Sequence, residues 1–103
     1  MNTEFKERDF VIIDDYNNYY DTVYGVIESL HNYASGDTLA DLDLYSQKVV
    51  AKINVKFDEG ASDVLLPIYN PKIKIRLMTP VEKAYYSVLK LSGQPTAIRR
   101  MPH

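Results

Sequence analysis

The chain of 103 residues contains no cysteine and no tryptophan, four glycines and only two histidines, His31 and His103. Without cysteine there is no disulfide and no thiolate-bound zinc, which excludes a disulfide-stapled scaffold. Two histidines so far apart do not make an imidazole-rich metal set. There is also no glycine-rich phosphate loop. Nucleophilic catalysis needs a base beside its nucleophile, and neither histidine is placed to serve as one. The acid pairs Asp14-Asp15 and Asp41/Asp43 lack partners for metal or glycosidic chemistry and read as a helix cap and a solvated face. We therefore expect no enzyme, no catalytic residue, no metal and no cofactor.

Long apolar runs are missing as well. No stretch is apolar for long enough to cross a bilayer, and the opening MNTEFKERDF lacks the basic-then-apolar layout of a signal peptide. A cytoplasmic protein without membrane contact is the expectation. With 46% hydrophobic and 25% charged residues, the composition matches an ordinary globular fold and excludes the disordered and collagenous classes. The length suits a single domain over residues 1–103, with 1–8 and 94–103 read as loose tails.

Tyrosine is the residue in excess, nine against three phenylalanines. Its large ring and polar tip suit surfaces that are buried only part of the time, whether the rim of a core or a binding face.

Periodicity then places the elements. Asp9 to Ile13 reads as a short strand. Over Asp15 to Ala34, Tyr16, Tyr19, Tyr20, Val23, Val26, Ile27, Leu30 and Ala34 recur at spacings of three and four, which predicts a helix capped by Asp14 or Asp15 and stopped at Ser35-Gly36. A second helix is expected from Asp37 or Thr38 to about Gln47, followed by a strand from Val49 to Phe57 and another over Val64 to Tyr69. Lys72 to Met78 alternates along its whole length, with Ile73, Ile75 and Leu77 to one side and Lys72, Lys74 and Arg76 to the other. Thr79-Pro80-Val81-Glu82 is a capping box with proline at the first helical position, opening a helix to Leu91 that Gly93 stops. In that helix Val81, Ala84, Tyr85, Val88, Leu89 and Leu91 form the expected core stripe, with Tyr86 pointing away. Together these elements predict an α+β fold. A three-strand antiparallel meander, with room for the N-terminal strand, would carry two to three helices on one face.

Charge is divided along the chain. Residues 1–45 hold two basic and ten acidic side chains, a net of −8, whereas residues 46–103 hold ten basic and four acidic, a net of +6. The halves either neutralise one another across the fold or leave two oppositely charged surfaces. Strand alternation sets Lys52, Lys56, Lys72, Lys74 and Arg76 on the sheet face opposite Ile53, Val55, Phe57, Ile73, Ile75 and Leu77. That arrangement predicts a basic outer face.

These features point to a small regulatory protein acting through contacts with another protein, of the accessory or inhibitor kind found in bacteria and their viruses. Its expected binding residues are Tyr24, Tyr86, Lys72, Lys74, Arg76, Arg99 and Arg100. The wide apolar arc of the tyrosine-rich first helix allows a homodimer. Two alternatives remain. One is nucleic-acid binding through the basic face and the arginine tail, although no aromatic residue interleaves with those lysines. The other is acidic mimicry of nucleic acid by Asp14, Asp15, Asp21, Glu28, Asp37, Asp41 and Asp43.

Overall fold

The computed structural model describes residues 5–32 and 49–101. In chain order these form β1 (Phe10–Asp14), β2 (Tyr20–Asn32), β3 (Val49–Phe57), β4 (Gly60–Pro67), β5 (Lys74–Leu77), α1 (Pro80–Leu91) and β6 (Ala97–Arg99). The strands join in one antiparallel sheet in the order β4-β3-β2-β1-β5, with β6 alongside β2.

This corrects the expected α+β layout of two to three helices on a small sheet. The described residues are mostly antiparallel strand and contain one helix. The largest change is at Tyr20–Asn32, which is a long strand and not part of a helix. Tyr, Thr, Val and Ile dominate this segment, and all favour the pleated backbone over the helix. Val23 and Ile27, four residues apart, share one face in either conformation, so the helical spacing was also satisfied by period two. The arc that suggested a homodimer is consequently absent. The second expected helix, to about Gln47, lies outside the described residues.

Two further expectations change. The strand after β4 does not complete a meander, because β5 pairs with β1, matching Ile12 to Arg76 and Ile13 to Ile75. Residues 94–101 are not a free tail: β6 pairs with the start of β2, and the backbone N–H of Arg100 donates to Tyr19 at 2.9 Å. At the other end Phe5 is buried in the core, within the stretch read as loose.

β2 is the organising strand. Its later half pairs with β3 and its first half with β6, so one strand changes partners along one edge. Irregularities at Ile27/Ser29 and Tyr20/Thr22 mark where its register shifts, the local bends that coil a sheet. Gly25 sits between them. A Cβ there would lie 2.7 Å from both the Asn54 carbonyl oxygen and Ile53 Cγ2, so the close approach of β3 requires a residue without a side chain.

Each sheet face carries a cluster. The larger gathers Phe5, Val11, Ile13, Tyr20, Val23, Ile27, Ala51, Ile53, Val55, Ile68 and Ala97. The smaller joins Ile12 to Met78 and Tyr86 on the face that α1 crosses. With apolar residues needed on both faces, β1 reads as a continuous run rather than an alternation.

Candidate interaction surface

α1 begins as its sequence dictates. The Glu82 amide donates to the Thr79 hydroxyl at 3.2 Å, the Thr79 amide donates to Glu82 Oε1 at 2.8 Å, and Pro80 opens the first turn. Beyond Ser92, Gly93 takes a φ of 71° and ends the helix.

The helix is turned from the sequence expectation: Leu89 is buried as expected, but Tyr86, read as pointing away, is buried with it, and the rest of the expected core stripe is exposed. Tyr86 and Leu89 are buried, at 4% and 5% exposure. Tyr86 reaches Ile12 and Met78, and its ring meets that of Phe10 edge-on at 5.7 Å. Outward lie Val81 at 78% exposure, Val88 at 60% and Leu91 at 89%, with Tyr85 and Ala84 between them. Val81, Tyr85, Val88 and Leu91 follow one another at spacings of three and four, so they form one ridge. Two large inward side chains were enough to dock the helix, which leaves most of its apolar stripe outside.

Tyr24 flanks this ridge. From β2 its half-buried ring meets that of Tyr85 at 5.5 Å, inclined by 64°. Burial pushes its hydroxyl pKa up, and the nearby Glu82 and Tyr85 act in the same direction. Away from the ridge, at the margin where the helix meets the sheet, the ammonium groups of Lys83 and Lys90 stand over the Phe10 and Tyr86 rings at 5.7 and 5.8 Å. The surface is thus an apolar ridge that the Tyr24 ring extends on one side.

The cations expected to form a basic face are largely occupied. Arg76 donates to both Glu82 oxygens at 2.9 and 3.0 Å and to Asp14 at 3.2 Å. Lys74 meets Asp15 at 3.4 Å, and Arg100 meets Asp15, Asp21 at 3.1 Å and the Asn17 carbonyl at 2.9 Å. Arg99 is bonded to Asp58 at 2.7 Å and lies over the Tyr19 ring. Lys52 reaches Asp63 at 3.7 Å, and Lys56 donates to the Gly93 carbonyl at 2.7 Å. Lys72 is exposed, ahead of β5. The acids beside β1 are therefore the partners of the bases on β5 and after β6, because the sheet order sets these segments side by side. Arg76 and the Thr79 amide pull the Glu82 carboxyl down to about 2. Arg100, then Lys74, hold Asp15 below the ordinary carboxylate range.

Of the residues singled out from sequence, the structure joins Lys74 and Arg100 through Asp15, and Arg76 pairs separately with Asp14 and Glu82. Tyr24 stands beside the helical ridge, Arg99 stands apart at Asp58, and Tyr86 is core. Sequence reasoning missed Val81, Val88 and Leu91 as surface residues. Periodicity reports that apolar residues share a face and does not report which way that face turns. No helix among the described residues is long and apolar enough to cross a membrane, and no group of three metal-ligating side chains occurs among them. Compared with family models, curated proteins and solved structures, the chain finds no match in any of the three.

Proposed function

We propose that this protein is a non-enzymatic binding module that docks onto another protein through the outer ridge of α1. The observation that carries this reading is the exposure of Val81, Val88 and Leu91 together on one helix face. Single exposed apolar residues are ordinary, but a row at helical spacing is the pattern by which one helix seats in a partner's groove. Tyr85 and Tyr24 add rings that bury large area at low entropic cost, as interface anchors do. The nucleic-acid reading draws less support, because most of the cations on which it relied are engaged by carboxylates of the same chain.

The test compares proteins captured from a host lysate by the native chain and by a Val88→Glu, Leu91→Glu double variant, with Leu65→Glu on β4 as a control. The reading expects a partner retained by the native chain and the control and lost by the double variant. A capture profile that the double variant leaves unchanged overturns it.

A further inference from the structure

A cleft of about 290 Å³ opens where β1 begins and β5 ends, lined by Arg8, Asp9, Phe10, Leu77, Met78 and Lys83. We infer that this cleft binds a small apolar group ending in a single carboxylate. It lies off the α1 ridge, since Val81, Val88 and Leu91 do not line it, and the inference stands whether or not the ridge docks a partner.

The lining divides by chemistry. Phe10, Leu77 and Met78 make an apolar floor, and Phe10 and Leu77 remain exposed although both are large and apolar. Arg8 and Lys83 supply the cationic walls, and among the described residues neither forms an ion pair. This sets them apart from Arg76, Arg99 and Arg100, each of which is matched by a carboxylate. The Lys83 ammonium stands over the Phe10 ring at 5.7 Å, which places a positive charge at the edge of the floor.

Arg8 is held in place by its backbone. Its φ of 75° lies in the left-handed region, where a residue with a side chain is strained. Two bonds to β2 fix that conformation: the Arg8 amide donates to the Ile27 carbonyl at 2.7 Å, and the Ile27 amide donates to the Asp9 carbonyl at 3.0 Å. The guanidinium therefore springs from a fixed point on the rim of the cleft.

Size and charge then select the ligand. The volume is at the lower end of small-molecule sites and suits a body the size of a phenyl ring. The Asp9 carboxylate, whose Oδ2 accepts from the Lys6 amide at 2.8 Å, shares the wall with the two cations. It disfavours a doubly charged phosphate and leaves room for one negative charge. An apolar body with one carboxylate occurs both as a free small acid and as the C-terminus of a peptide ending in an aromatic residue.

The full chain labelled with nitrogen-15 is titrated with 3-phenylpropionate, with its primary amide, and with N-acetyl-Gly-Gly-Phe as free acid and as amide. The expected result is saturable shifts centred on Phe10, Leu77, Met78 and Lys83 for the acids, with the amides binding about tenfold more weakly, as the loss of one charge-assisted contact implies. Arg8→Gly, which suits the local φ, and Lys83→Ala should each weaken acid binding about tenfold while the rest of the spectrum stays unchanged. Tighter binding of the peptide acid than of phenylpropionate assigns the site to a chain terminus, and equal binding assigns it to a free acid. No saturable shift, or equal affinity for acids and amides, overturns the inference.

Discussion

Thr96 and Lys56, forty residues apart, exchange two hydrogen bonds: the Thr96 amide donates to the Lys56 carbonyl at 2.8 Å, and the Lys56 amide donates to the Thr96 hydroxyl at 2.9 Å. The Thr96 carbonyl also accepts from the Tyr24 amide at 2.9 Å. One buried residue thus joins β3 to β2 where β3 yields its place to β6. Thr96 is the one buried polar side chain among the described residues, at 1% exposure. The splice depends on its hydroxyl.

Thr96→Val keeps the shape and removes the acceptor, leaving the Lys56 amide without a partner. Urea unfolding should show a loss of about 1–3 kcal/mol, the usual cost of an unsatisfied buried donor. Thr96→Ser should lose much less, because the hydroxyl remains. A Thr96→Val variant as stable as the native chain would mean that the bond to the hydroxyl contributes nothing to the splice.

Gly25→Ala is expected to destabilise by about 1–3 kcal/mol, as overpacking does. The added methyl would meet the Asn54 carbonyl oxygen at 2.7 Å, and backbone in a paired strand cannot move aside cheaply. A helical Gly25 would behave in the opposite way, since alanine stabilises a helix interior by about 1 kcal/mol. The sign of the change in thermal midpoint therefore distinguishes the strand from the helix that the spacing of Val23, Val26, Ile27 and Leu30 had suggested.

What could be read in advance follows from where the determining forces act. β3 matches its expected range, Val49–Phe57, because one face meets the core and the other carries Lys52, Asn54 and Lys56, so its alternation is clean. The capping box at Thr79 and Glu82 is a local device and is fully written in four consecutive residues. β2 was not legible, because Val23, Gly25 and Ile27 are buried on one side while Tyr24 and Val26 are half-buried on the other. A strand covered on both faces loses its period-two signature, and only pairing with distant strands decides it. The charge division could be counted, but its outcome depended on β1 lying between β2 and β5. The ridge of α1 was visible as a stripe and misassigned, because burying it or exposing it depends on Tyr86 fitting over Ile12 and Met78.

The turned helix makes its own prediction. Val88→Ser and Leu91→Ser should each change stability by no more than about 0.5 kcal/mol, as exposed positions do, whereas Leu89→Ala should cost about 2–5 kcal/mol. Denaturant midpoints for the three variants check this ordering. Large losses at Val88 and Leu91 would place the ridge against the core.

Acid sensitivity should concentrate at Glu82. Its carboxyl is drawn from an ordinary 4.5 down to about 2, by Arg76 first and the Thr79 amide second, so the folded state favours the ionised form. A group depressed in this way contributes its full stabilisation above the ordinary value and loses it as pH falls through the folded one. Glu82→Gln retains an acceptor for the Thr79 amide but gives up the charge facing Arg76. The variant should be less stable than the native chain at neutral pH, and the gap should close between pH 4.5 and about 2. Asp15 is depressed as well and titrates in both proteins, so the difference between their stability profiles isolates Glu82. Profiles that run parallel through this range would show that the pairing of Arg76 with Glu82 adds nothing to the folded state beyond the helix cap.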